Sequence, residues 1–174
     1  QRQSHTTTYL PRVDSIHFRL GFTVGGLVRR HVWEAEAEAG ELALPEQSAR
    51  PANIVNLEDA ESGYGGAVRF PGRSAGAVRT GLNWVQLPSD EHGSPPHCHS
   101  AEEELFVVLD GSGTCILGDE EHPLRAGHVV SRPAGTGVAH ALRGGPDGLT
   151  FLAYGTRDTN DMAYFPRSDK IYWR

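Results

Sequence analysis

Along most of this chain apolar and polar residues alternate over short stretches, and each stretch is cut off by Gly, Pro, Ser or Asp. A period of two places every second side chain of an extended strand against a core, whereas a helix needs apolar residues at three- and four-residue intervals. On this basis strands are predicted at 53–57, 66–70, 78–87, 96–99, 104–109, 114–117, 128–132, 138–142 and 149–154. No helical period separates them, so the pattern predicts an all-β sandwich or barrel. The end of the chain differs: Ala163-Tyr164-Phe165-Pro166-Arg167 and Ile171-Tyr172-Trp173 are rich in aromatic residues that need a surface to pack on, in this barrel or in a second subunit.

The first fifty residues break the alternation. A Thr-rich start and the Gly-bounded stretch 21–26 lead to Trp33-Glu34-Ala35-Glu36-Ala37-Glu38-Ala39, whose residue types favour helix but carry no apolar stripe. That run is read as a solvated linker in preference to a short exposed helix ending at Gly40. Residues 1–50 are therefore expected to be an N-terminal arm or accessory strands, and residues 51–174 the barrel with its aromatic tail. No internal repeat points to a second barrel.

Composition narrows the function more than the fold. A length of 174 residues suits one ordinary domain. The net charge is −6, and the 16 basic residues are scattered, which argues against a nucleic-acid surface. Two cysteines, Cys98 and Cys115, make a disulfide framework unlikely to organise the fold, and a reducing, cytoplasmic home is the expectation. No run approaches the roughly 18 apolar residues of a membrane span. The polar opening Gln1-Arg2-Gln3-Ser4-His5 does not read as a secretory signal, and a start on Gln reads as a trimmed initiator segment. The 21 glycines and 11 prolines are the punctuation of short strands and tight turns.

The chemistry concentrates in residues 93–111. In a strand His97 and His99 point to one face and Cys98 to the other, so two imidazoles form a clamp. After the turn at 100–103, Glu104 opens the next strand and can return beside them. His140 follows the glycine-bracketed turn Gly135-Thr136-Gly137 and can come in from a distant strand. Three neutral imidazoles and one carboxylate suit iron, manganese, nickel, copper, cobalt or zinc better than calcium or magnesium. Glu102 and Glu103 read as a solvated turn. His92, His122 and His128 read as surface or turn residues, and Cys98 as a small buried hydrophobe. A lone histidine in a strand is usually a packing residue, so it is the combined spacing that carries weight.

That spacing resembles both signature motifs of the cupin superfamily over roughly residues 93–145. Four residues separate His99 from Glu104 and six separate Glu104 from Gly111, as in the first motif, although Gly93 stands closer to His97 than the family pattern has it. Gly127, Pro133 and Gly135 fit the second motif, but four residues precede His140, and Gly144 holds the position of the family's Asn. The resemblance implies a cupin-type double-stranded β-helix (jelly-roll) barrel with an N-terminal extension. It also implies one divalent transition-metal ion on His97, His99, Glu104 and His140, and a homodimer.

If Glu104 faces inward, Phe106 and Val108 do too, Val138 and Leu142 flank His140, and Trp84 is a further candidate for an apolar pocket wall. For each alone, barrel core is the plainer reading. The function expected is a metal-dependent enzyme, of oxidoreductase or dioxygenase type, on a small organic molecule. The alternatives are a non-redox isomerase, lyase or hydrolase, and a small-molecule binding or sensing module. A sugar isomerase is disfavoured because the predicted wall is apolar.

Overall fold

A computed structural model describes residues 53–173 together with three strands nearer the start, β1 (Thr7–Leu10), β2 (Ser15–Phe18) and β3 (Phe22–Val24). The chain divides into two compact units, Gln1–Ala49 and Arg50–Arg174. In the first, β1, β2 and β3 pair in order as an antiparallel meander. The Glu/Ala run at 34–39 lies outside the described residues.

The second unit is almost entirely antiparallel sheet. Its strands are β4 (Ser62–Gly63), β5 (Val68–Arg69), β6 (Thr80–Leu87), β7 (Cys98–His99), β8 (Glu104–Leu117), β9 (Glu120–Arg125), β10 (Val129–Arg132), β11 (His140–Thr156), β12 (Met162–Phe165) and β13 (Lys170–Trp173). One sheet runs β10-β8-β11-β6-β5-β4, with β9 also on β8, and the other runs β13-β12-β7. A single-turn helix, α1 (Pro71–Ser74), and two short 3-10 turns are the helical elements among the described residues. None of the described helices is long and apolar enough to cross a membrane.

Two departures from the predicted strands have physical causes. Residues 53–57 do not pair: the Asn56 side chain accepts from Glu58 N at 3.1 Å and starts a 3-10 turn instead. Asn competes for backbone donors in this way and favours caps over ladders. The second departure is a merger. The stretches 104–109 and 114–117 form one strand, β8, and 138–142 and 149–154 largely join as β11. Their glycine-rich middles are bends in a continuous ladder, with register slips between Gly144/Leu149 and Thr150/Phe151. Gly111 shows why glycine is needed there: its φ is 76°, and a Cβ would collide with Gly148 O.

The core lies where β6, β8 and β11 pack inward. Leu87, Phe106, Val108, Cys115, Leu124, Leu142, Leu149 and Phe151 form one buried cluster. Phe106 and Val108 are two residues apart on β8 and share a face, as alternation requires. Burial raises the Cys115 thiol above its usual value, against an opposing pull from the Arg132 charge. Leu149→Ala should cost about 2–5 kcal/mol in a urea titration, the range for a fully enclosed leucine. Cys98 and Cys115 are both buried and unpaired, and they should resist a thiol reagent in the native protein and react fully once it is unfolded.

Candidate metal centre

Backbone pairing brings the histidines together. His97 and His140 exchange both main-chain hydrogen bonds, His97 N to His140 O at 3.1 Å and His140 N to His97 O at 2.8 Å. Directly opposed residues of an antiparallel pair project to the same face, so the two rings meet, with centroids 4.6 Å apart. His99, two residues on, lies 5.0 Å from His97 by the same measure. Glu104, the first residue of β8, extends Oε2 to 2.9 Å from His140 Nε2 and 3.5 Å from His99 Nε2. One donor atom each from His97, His99 and Glu104 lies within 4.8 Å of the others. Ligands held at about 2.0–2.2 Å from one ion stand at comparable separations, so this cluster could hold a metal.

Hydrogen bonding orients the rings for that purpose. His97 Nδ1 lies 2.8 Å from Pro95 O, which can only accept, so Nδ1 carries the proton and Nε2 keeps its lone pair. His99 Nδ1 lies 2.6 Å from Asp161 Oδ2, with the same result. Burial pushes the His97 pKa below its usual value, opposed by the Pro95 carbonyl, so the ring is neutral at neutral pH. Burial alone would raise the Glu104 pKa, but contact with His140 and the surrounding imidazoles outweigh it and hold the carboxyl below its ordinary value. Glu104 Oε2 and His140 Nε2 are both buried, and neither has a regularly formed hydrogen bond. Such atoms cost about 1–3 kcal/mol each when left unsatisfied, and a shared cation removes that cost.

Two residues of this centre escaped sequence reasoning. Asp161, 62 positions from His99, is 4% exposed and grips the ligand loop from behind. Its Oδ1 accepts from Ala101 N and Glu102 N, each at 2.9 Å. Burial opposes its ionisation, yet these bonds and His99 together lower its pKa. In sequence it is the last polar residue of Asp158-Thr159-Asn160-Asp161, which looks like any solvated turn. Glu102 requires a correction, because it is 5% exposed and not solvated. Its Oε2 lies 4.0 Å from His99 Nδ1, and Oε1 lies where a Cβ on Gly155 would come within 2.6 Å. The absent side chain at Gly155 makes the room that lets a carboxylate fold inward. Glu103 is exposed, as expected.

The predicted pocket wall is mostly core. Phe106 flanks His140, ring centroids 5.5 Å apart, while Val108 and Leu142 belong to the buried cluster. Trp84 alternates with Val85 and Leu87, which pack inward, so it stands on the other face of β6 and away from the pocket. Only Val138 lines the small cavity at the centre, along with Glu102, Glu104, Arg132, Thr136 and His140. That cavity offers about 10 Å³, room for one water-sized group. The first part of the aromatic tail packs on its own barrel, where β12 pairs with β7 and Phe165 stacks on His97 at 5.3 Å and 22°, while Ile171, Tyr172 and Trp173 are exposed.

An antiparallel β-barrel domain with imidazoles and a carboxylate converging at its mouth defines the class. Residues 83–148 match the family Cupin domain, which makes this stretch of the chain a cupin-superfamily domain. It is similar in structure to a candidate sugar phosphate isomerase from Acidithiobacillus ferrooxidans, with 26% identity, 62% of this chain and 69% of that one covered, and a TM-score of 0.58. It is also similar to a cupin-superfamily sugar phosphate isomerase from Silicibacter pomeroyi, with 26% identity, 68% and 73% covered, and a TM-score of 0.54. No curated protein matches the chain.

If Asp161 fixes the His99 tautomer, nitrogen NMR of the metal-free protein should show the proton on Nδ1 of His99. Asp161→Ala should abolish that preference and leave His97, anchored on Pro95, unchanged.

Proposed function

We propose that this protein is a metal-dependent cupin enzyme that holds one divalent transition-metal ion on His97, His99, Glu104 and His140 and acts on a small oxygen-bearing molecule. The observation that carries this reading is the buried pair Glu104 Oε2 and His140 Nε2, 2.9 Å apart, which lack regular hydrogen bonds within a group of imidazoles. A bound ion would supply Lewis acidity to an oxygen of the substrate. The chain's own residues do the rest. Asp161 and Pro95 hold two imidazoles with Nε2 free, and Phe106 and Phe165 keep water from the flanks of His140 and His97. Arg132 and Thr136 give the cavity a polar side.

Isomerase, lyase or hydrolase chemistry is favoured over the oxidoreductase expected from sequence. The apolar wall that disfavoured an isomerase is mostly core, and the cavity sets Arg132 and Thr136 beside Cys98, Pro133 and Val138. The two similar structures named above carry isomerase names. Oxidoreductase or dioxygenase chemistry keeps one specific support, the three-imidazole, one-carboxylate donor set, which suits iron or manganese as well as zinc, cobalt, nickel or copper. The homodimer belongs to the same proposal: β13 is a sheet edge whose Ile171, Tyr172 and Trp173 are exposed, a surface suited to a second copy.

Protein purified without added metal or affinity tag should contain close to one equivalent of a transition metal by elemental analysis. His99→Ala and His140→Ala should each lower that content sharply, and unchanged stoichiometry in both would overturn the assignment. Asp161→Asn should weaken metal affinity about 10–100-fold, as loss of a carboxylate behind a metal-bound histidine does. The same samples, given a panel of sugar phosphates under air and under argon, separate the chemistries: turnover without oxygen uptake supports the non-redox reading, and oxygen-dependent turnover the redox one.

A further inference from the structure

We propose that Arg132 is the substrate-recognition residue of this centre and that the molecule bound there carries an oxyanion, a carboxylate or a phosphate. This rests on the metal reading for the neighbouring ion and goes beyond it in assigning the substrate's charge. Arg132 ends β10 directly opposite Glu104 in the antiparallel ladder, so its side chain leaves the sheet on the same inward face. It lines the same cavity as His99, Glu104 and His140.

The guanidinium is half committed. Its Nη2 donates to Val138 O at 2.8 Å and to Thr136 Oγ1 at 3.2 Å, which ties down the turn that delivers His140. Its Nε is buried and has no hydrogen-bond partner among the described residues. No carboxylate among the described residues pairs with it. Glu104, its cross-strand neighbour, is turned toward His140 and His99, and Asp161 and Glu102 stand on the Nδ1 side of His99. The arginines that do pair with acids, Arg73 with Glu61 and Arg143 with Glu121, lie elsewhere.

A guanidinium stays charged at any working pH, so an inward-facing one with a spare buried N–H calls for an anionic acceptor. Anchoring the turn accounts for Nη2 and leaves Nε unexplained. The cavity admits one water-sized group, which is the room the ion itself takes, so the ligand meets Arg132 through an anionic group beside the ion. Arg132 then selects for negative charge on that group.

The test is calorimetric titration of the cobalt-loaded protein with pyruvate, with methyl pyruvate as its neutral counterpart, and with inorganic phosphate. At least one anion should bind about tenfold or more tightly than methyl pyruvate. Arg132→Gln should lower anion affinity far more than methyl pyruvate affinity, both measured on protein matched for cobalt content, and Arg132→Lys should keep part of the preference. A merely structural role for Arg132 would weaken charged and neutral probes alike. Preference for pyruvate identifies the carboxylate, and preference for phosphate the phosphate. Anions that bind no better than methyl pyruvate to the wild-type protein overturn the proposal, as does a preference that survives Arg132→Gln. Should Arg132→Gln not fold, the wild-type comparison and Arg132→Lys still decide. A protein that takes up no cobalt overturns the metal reading, and the same titrations on the metal-free protein then decide the role of Arg132.

Discussion

The centre depends on one pair of main-chain hydrogen bonds, those that His97 and His140 exchange. The two residues are far apart in sequence, and each lies beside a strand of few residues or at a strand end, where side-chain packing alone would fix little. Reciprocal bonding sets their separation and makes both rings leave on the same side. Once that is fixed, His99 follows by the two-residue period of a strand, and Glu104 follows because β8 begins on the far side of a short turn. Imidazoles and a carboxylate then converge without any one of them needing a strained backbone: none of the four has a positive φ.

Behind this first layer lies a second built by residues 161–165. With a single carboxylate Asp161 accepts hydrogen bonds from the His99 ring and from two backbone N–H groups. The loop at 100–102 and the ring of His99 therefore share a support, and neither can shift alone. Phe165 then closes the outer face of His97. Electrostatics and packing act together here: burial favours the neutral form of His97, while the contact with His140 and the imidazoles around Glu104 keep that carboxyl ionised. Polar groups are enclosed at some cost in desolvation, and the bonds of the second layer offset it.

The all-β architecture was legible in the sequence because it rests on local periodicity, and the same periodicity is what led to the proposal that His97, His99, Glu104 and His140 share one ion. Strand alternation decides which residues share a face, and turn residues bracket the histidines. Legibility failed where the deciding interaction is not local. Nothing near Asp161 shows that it will meet His99. Glu102 looked solvated because the room it occupies is made by Gly155, on the other strand. Phe106, Val108 and Leu142 were correctly placed inward, but which inward positions border a cavity and which border other side chains depends on the packing of several strands at once. Trp84 fell on the wrong face because a lone strand carries no marker of which of its two sides will be covered. Residues 53–57 failed for a local reason, since Asn56 can cap a turn as readily as a strand can accept it.

The order in which these parts lie along the chain bears on how the centre is made. The histidines of the site, Glu104 and Arg132 all precede residue 141, whereas Asp161 and Phe165 belong to the segment after β11, which lays β12 against β7. During synthesis the inward-facing imidazoles exist first without the carboxylate that orients one of them and without the aromatic cover of another. Residues 161–165, made after the imidazoles they support, are thus the ones that fix the orientation of the candidate ligands, and the site stays unset until β12 has been laid against β7.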